Sequence, residues 1–514
     1  MDPKTDLHVL LIKIGTEPGL ESIPTKLRQF DSRIKTFGVL GRPTDRHDFD
    51  VVVSSSYEAM LAAHPEVVRD GLYVRPELYE KIAAAEGQII RMYDRVAISD
   101  LSLFAHPDVP IPRFRDSVDD RMQLFLRQAA YWDFAFSHHQ IDAVVAQNYG
   151  HNGYDAVLHA VAIARKIPYM FFHEVRPFLR STHMYESITE LGHNEFGKRL
   201  ISIARERKTY VEDSDSRRVF MERQVGLIED EMQIANIVSS DKRQKVFRRV
   251  GNPRTLPRRL TRSIRRRKRN RKSMRDERNA ISTAPLPENF VFCELQSQPN
   301  ATTALKGWMY PDQRESLAMI ARHLPVGWKL VAKESDRQWS RMYPRRDNFW
   351  SQIAAVPGIH VVSSDSDAVA LMRKSKGLVE TSYSTLAFRA IKEGIPVMIL
   401  GHSHIRQIPG VKMIDSDEAA AGVLGTLCEA RNSLFGGSAS ESSIKAFLES
   451  EIQSTLEGAL SYVPRMDSDS NQSRYLHRIT NNAAAVIAAW LSHLESSHQQ
   501  LGIESVPSTR SPDL

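Results

Sequence analysis

The sequence predicts an α/β protein built from two Rossmann-like, doubly wound domains, and three observations carry that expectation. The chain has 514 residues, more than one hydrophobic core usually organises. Short runs rich in β-branched residues alternate with helical patterns, as in parallel strands joined by crossover helices. Between the two such series lies a strongly basic segment, with 18 Lys or Arg against 3 Asp or Glu from Asp241 to Ala280, a local +15. Because the net charge is +7, the rest of the chain carries about −8.

In the first series, Val9 to Ile12 and Val51 to Val53 are β-branched runs closed by polar or turn residues, the pattern of buried parallel strands. From Asp119 to Phe136, Met122, Phe125, Leu126, Ala129 and Ala130 recur at helical spacing, and the strand-like Ala143 to Ala146 follows. His151-Asn152-Gly153-Tyr154-Asp155 then leads into a helix with Val157, Leu158, Val161 and Ala164 on one face. Pro168 ends the connection, and Tyr169 to Phe172 reads as the next strand, followed by His173-Glu174. In such sheets ligands sit outside the carboxyl ends of strands, so the polar residues just after each strand are the ones placed for chemistry.

The second series is more regular. Strands are expected at Phe290 to Leu295, Trp328 to Ala332, Ile359 to Val362, Gly377 to Thr381 and Val397 to Leu400. Helices are expected between them at Arg314 to His323, Phe349 to Ala355, Ala368 to Lys374 and Thr385 to Glu393. That alternation implies a right-handed parallel sheet. The expected organisation is an N-terminal domain over 1–240, a basic linker or docking arm over 241–283, a C-terminal domain over 284–425, and a helical tail over 426–514. The tail runs through a Ser-rich, disorder-prone stretch at Gly436 to Ser443 into an Ala-rich helix near Asn481 to Leu494.

Composition narrows the function classes. The longest apolar stretch, Ala483 to Leu491, is far short of the ~20 residues that span a bilayer. The first residues, Asp2, Lys4 and Asp6 among them, lack the apolar core of a secretory signal, which implies a cytoplasmic protein. Only Cys293 and Cys428 occur, so neither a disulfide framework nor a cysteine zinc site is expected. Arg265, Arg266, Arg267, Lys268 and Arg269 form an unbroken cationic run that cannot fold against its own repulsion without solvent or an anionic partner. That run is the candidate for docking to the anionic inner face of a membrane.

Several runs together resemble bacterial capsule polysaccharide biosynthesis proteins. They are Glu294 to Thr303 with Gly307-Trp308, Pro325 to Lys329, Lys333-Glu334 and Gly394 to Val397, together with His151 to Asp155 and Pro177 to Arg180 in the first half. That group includes glycosyltransferases of the two-domain GT-B type, among them transferases of the acidic sugar Kdo. The resemblance covers about half of the chain and implies two Rossmann-like domains facing across a cleft. It implies transfer of a sugar from a nucleotide-sugar donor, CMP-linked or UDP-linked, to a polysaccharide or glycolipid acceptor, with no cofactor and no metal. Two positions depart from the pattern. Ser335-Asp336 stands where the family commonly has His-Pro, and Arg389 where it commonly has Glu.

Ser382, Ser384 and Thr385 lie between a strand and a helix, where hydroxyls and helix N-terminal N–H groups can receive a phosphate. Arg389, one turn on, is placed to pair with phosphate or a sugar carboxylate; the plain alternative is a Ser/Thr cap and a solvated arginine. Lys333, Glu334 and Asp336 end another strand, where the carboxylates can serve as base and the lysine can steady a departing nucleotide. His151 and Asp155 are candidates for orienting or deprotonating an acceptor, and Gln296 and Gln298 for holding sugar hydroxyls, with Glu380 a further sugar or ribose ligand. Two other classes remain open: a non-catalytic GT-B-like glycan-binding or scaffold protein, and a nucleic-acid-binding protein using the basic segment. The latter is disfavoured because residues 254–278 contain no aromatic side chain for base stacking. Oligomeric state has no signature in the sequence.

Overall fold

The computed structural model describes residues 6–16, 19–39, 47–53, 74–83, 118–149, 154–174, 181–187, 190–191, 193–211, 256–298, 303, 306–307, 310–335, 338, 345, 348–382, 384–408, 410–429, 441–457 and 469–500. Two sheets organise them. The first contains β1 (Leu7–Ile12), β2 (Ile34–Val39), β3 (Val51–Val53), β4 (Ala143–Ala146), β5 (Tyr169–Glu174) and β6 (Ser181–Tyr185), with the late strand β13 (Leu456–Glu457) at its edge. Its order is β13-β6-β5-β4-β1-β2-β3; β1 to β5 pair in parallel, and β6 and β13 are antiparallel additions.

The second sheet contains β7 (Phe290–Glu294), β8 (Lys329–Lys333), β9 (Ile359–Val362), β10 (Leu378–Glu380), β11 (Val397–Ile399) and β12 (Val411–Met413). All its pairs are parallel, in the order β12-β11-β10-β7-β8-β9. Each sheet starts in the middle and is wound outward in both directions. The winding reverses between β1 and β4 in the first sheet and between β7 and β10 in the second.

The two-residue period of the strands divides each core into two faces. Leu10, Ile12, Phe37, Val144 and Ala146 point to one face of the first sheet, under α2 (Val118–His138) and α3 (Tyr154–Ala164) with Phe125, Trp132, Phe136, Val157 and Val161. Val9, Leu11, Val145 and Met170 point to the other, under α1 (Ile23–Phe30) and α4 (Glu195–Glu206). In the second sheet, Val291, Cys293, Leu330 and Ala332 face α6 (Gln313–His323) and α7 (Phe349–Ala354). Phe290, Phe292, Val331 and Leu378 face α8 (Ala368–Lys374) and α9 (Thr385–Lys392). α10 (Asp417–Glu429) closes this second unit.

Two segments differ from the sequence expectation. The basic segment, read as a linker or arm, contains α5 (Leu256–Ala280), and the second half of that helix is part of the C-terminal unit. Asn270, Ser273, Glu277 and Ala280, spaced at one helical face, are buried while Arg267, Lys268 and Arg269 are exposed. Asp276 accepts from the Trp350 N–H at the start of α7, and Glu277 accepts from the Ser364 N–H. Repulsion does not unfold the helix because its charges leave the packed stripe to short polar residues.

The tail, for its part, returns to the N-terminal unit. α11 (Glu441–Ser454) leads into β13, and α12 (Asp469–Gln500) lays Ala483, Ala484, Val486, Ile487 and Trp490 on the α1/α4 face of the first sheet. Alanine lets a helix approach a sheet closely, and the Trp490 indole N–H donates to Glu186 at 3.0 Å. The Ser-rich stretch falls largely outside the described residues. No helix among the described residues is long and apolar enough to cross a membrane.

Candidate functional site

In the second sheet the winding reversal places two acids side by side, Glu294 at the end of β7 and Glu380 at the end of β10. The two carboxylates are tied into one network. Lys333, at the end of β8, lies 3.3 Å from Glu294 and donates to its neighbour's carbonyl, Glu334 O, at 3.1 Å. Gln296 Nε2 donates to Glu380 Oε2 at 3.4 Å, and the Ser384 hydroxyl donates to Glu380 Oε1. Glu380 is 1% exposed, and burial, reinforced by the Glu294 charge, raises its carboxyl to about 8 against the pull of Ser384 and Gln296. It is therefore largely a neutral acid near neutral pH, able to donate a hydrogen bond as well as accept one.

The turn from β10 into α9 carries the predicted hydroxyl cluster. Ser384 is the N-cap of α9, and its Oγ accepts from Leu386 N–H at 3.1 Å and Ala387 N–H at 3.3 Å. Two of the N–H groups expected to face a phosphate are thus already satisfied by the cap. Ser382 is fully buried, and its hydroxyl has no hydrogen-bond partner among the described residues. Thr385 is the first residue of α9. Arg389 is not gathered to this end of the helix. Its Nε donates to Glu393 Oε1 at 3.1 Å, and Glu393 also binds Arg373, so the guanidinium is turned toward the helix C-terminus.

Glu334, the candidate base, has a different position from the one expected. Its carboxylate is 0% exposed and held by both arms of Arg345, Nε to Oε2 at 2.8 Å and Nη2 to Oε1 at 2.7 Å. The same guanidinium donates to Gln298 Oε1 at 3.0 Å and to Gln296 O at 3.1 Å, and it stacks 4.6 Å over the Phe349 ring. Gln298 is consumed as well: it exchanges bonds with Gln338 in both directions and donates to Pro311 O at 2.7 Å. A bidentate, fully desolvated pair of this kind holds the loops after β7 and β8 in place and keeps the carboxylate away from solvent. Asp336 lies outside the described residues.

In the first sheet, Asp155 is buried at the start of α3. Burial and the nearby Asp155 charge push the Tyr149 and Tyr169 hydroxyls upward, and burial holds the His159 imidazole down at about 4. The acid thus belongs to a buried aromatic cluster beneath the strand ends; His151, its expected partner, lies outside the described residues. His173 occupies β5, where the two sheets approach. Lys306 of the second unit lies 3.4 Å from both its ring nitrogens, and His404, in the helical turn His404–Gln407 after β11, has its ring centroid 5.7 Å away. On β6, His183 Nε2 is 2.7 Å from Glu451 Oε2 of α11. Among the described residues, no three His, Cys, Asp or Glu side chains are arranged to hold a metal ion.

The structure thus brings together Gln296, Glu380, Ser382, Ser384 and Lys333, with Glu294 added, and leaves Arg389, Gln298 and Glu334 in other roles. Arg345, Lys306 and His404 join them without a motif that marks them in the sequence. His404 follows the strand expected at Val397 to Leu400, so the rule that placed the other candidates could have found it.

No protein-family model and no curated protein matches the chain. Solved structures do match. UDP-N-acetylglucosamine 2-epimerase from Rickettsia bellii shares 13% identity over 97% of this chain and 100% of its own, with a TM-score of 0.25. A glycosyltransferase from Rickettsia africae shares 9% over 97% of this chain and 100% of its own, with a TM-score of 0.22. MurG from Acinetobacter baumannii shares 9% over 88% of this chain and 97% of its own, with a TM-score of 0.21. At these values the description of the fold rests on the strand order of the two sheets.

Proposed function

We propose that this protein is a nucleotide-sugar glycosyltransferase of the GT-B type. The observation that carries the reading is the polar cluster at the winding reversal of the second sheet, where Glu294, Gln296, Glu380 and Ser382 stand beside the start of α9. A neutral acid and a carboxamide suit sugar or ribose hydroxyls, and a helix start suits a phosphate. The resemblance to capsule polysaccharide proteins supports a surface polysaccharide, or its lipid-linked precursor, as the acceptor.

In this reading an acceptor hydroxyl enters from the N-terminal side and attacks the anomeric carbon of a CMP-linked or UDP-linked sugar. Because Glu334 is held by Arg345, the base falls to Asp336 or His151. The work takes place in the cytoplasm against the inner face of the membrane, with α5 as the docking element. The test is calorimetric titration of the full chain with CMP-linked and UDP-linked sugars, followed by assay of released nucleotide when a membrane extract is added as acceptor. Binding with release supports the transferase. Binding without release supports a second reading, a non-catalytic glycan-binding or scaffold protein, which the capture of Glu334 favours.

A further inference from the structure

Lys306 has no role in the network at the β7/β10 edge, yet its backbone is locked against that edge. Its carbonyl accepts the His402 N–H at 2.7 Å. Gly401 packs so tightly there that a Cβ on it would come within 2.1 Å of Lys306 O and 2.8 Å of Thr381 O. The lysine is therefore fixed beside the residues that lead into buried Ser382, and from this anchor its side chain reaches the first sheet at His173. Tyr185 belongs to the surroundings, 6.4 Å from His173 and stacked at 5.6 Å on His183 between ring centroids. His404 lies against His173 from the second unit, and His183 from β6 lies 6.0 Å from His404 between ring centroids. The buried carboxylate of the cluster, Glu451, is engaged by His183 and by Asn194 Nδ2 at 2.7 Å. No carboxylate among the described residues lies within ion-pair distance of Lys306.

A partly buried ammonium is ordinarily paired with an anion. Here its partners are imidazoles that burial, with Lys306 itself adding to the effect, holds well below their usual range, and hence uncharged at neutral pH. We propose that Lys306, with His173 and His404, forms a subsite for a phosphate or diphosphate group at the point where the two sheets meet. The ammonium supplies the charge, the imidazoles contribute N–H donors, and a bound phosphate pairs a cation that no carboxylate among the described residues pairs. The proposal rests on the nucleotide-sugar reading only for the source of that group, the donor's phosphate.

The experiment titrates the full chain with inorganic pyrophosphate from about pH 6 to about pH 9.5, across the range in which a buried lysine can titrate. Burial lowers Lys306 to about 8, so pyrophosphate should bind the wild type tightly at neutral pH and lose affinity as pH rises through that value. Lys306→Met should weaken binding at neutral pH by roughly tenfold or more, the loss of one charge-assisted contact. Lys306→Arg should keep the binding and remove the loss near pH 8, which also controls for ionisation of the pyrophosphate. His173→Gln, read in parallel, should weaken binding severalfold and keeps the test decisive should Lys306→Met fail to fold.

Absence of pyrophosphate binding by the wild type overturns the proposal, as does equal affinity in Lys306→Met or an identical pH profile in wild type and Lys306→Arg. If pyrophosphate binding depends on Lys306 but no nucleotide or nucleotide sugar competes for it, the subsite stands and the nucleotide-sugar reading falls. If nucleotide sugars bind wild type and Lys306→Met alike, the reading stands and the subsite falls.

Discussion

Arg345 and Glu334 are 1% and 0% exposed at their side chains, and each is the other's principal solvation. Removing one partner leaves a buried charge, so Arg345→Met should destabilise the protein by roughly 3–5 kcal/mol, whereas replacing both with apolar residues should recover much of that loss. Denaturant midpoints of the two single variants and the double variant measure this; a single-variant loss below about 1 kcal/mol would show that the pair is solvated. Glu380 gives a prediction in pH. Its folded value of about 8 lies above its ordinary 4.5, so between these values the folded chain holds a proton that the unfolded chain has released. The contribution of this carboxyl to stability is whole below about 4.5 and is lost as pH rises through 8. Glu380→Gln has no such proton, so its stability relative to wild type should increase from pH 5 to pH 8 and level off above; a constant difference would mean that Glu380 titrates as in water. Neither residue's state was legible beforehand. A carboxylate after a strand reads the same whether it meets water, an arginine from a distant loop or another acid, and Arg345 lies in a stretch with no periodicity to place it.

At the scale of elements, the sequence was most informative where burial was two-sided. The five strands expected from Phe290 to Leu400 and the helices between them are present, within a residue or two at most ends, because continuous apolar runs and amphipathic helices are imposed by the same sheet. β2 was missed because Lys35 and Gly38 interrupt its apolar run, and α12 proved longer than expected because Ser and Asn fill its first turns. α5 was read as a linker because its packed stripe is Asn270, Ser273 and Glu277, short polar or acidic residues that an apolar pattern cannot reveal. Arg267, Lys268 and Arg269 are exposed on it, and the Arg265 and Arg266 side chains lie outside the described residues. With about 1 kcal/mol per basic residue near an anionic bilayer, changing these five to Glu should remove most pelleting with phosphatidylserine vesicles and leave circular dichroism unchanged. Equal pelleting of the variant would remove membrane docking from the account.

The described residues form two doubly wound sheets, and the last described helix returns to the first of them. α12 covers the face of the first sheet that α1 and α4 leave open, so the N-terminal unit is complete only with the last described helix, and α11 brings Glu451 to the seam where His173, Lys306 and His404 meet. No local pattern announces such a return, because an Ala-rich helix has the same sequence signature whether it docks on its neighbours or on strands more than 400 residues away. The proposed function stands or falls with nucleotide-sugar binding at the carboxyl edge of the second sheet. Titration of the wild type and Glu380→Gln with CMP-linked and UDP-linked sugars tests it most directly. One of these donors should bind the wild type with a Kd below about 1 mM, the upper range of ordinary enzyme–substrate affinity, and Glu380→Gln should weaken that binding. Failure of every donor to bind, or binding that Glu380→Gln leaves unchanged, would contradict it.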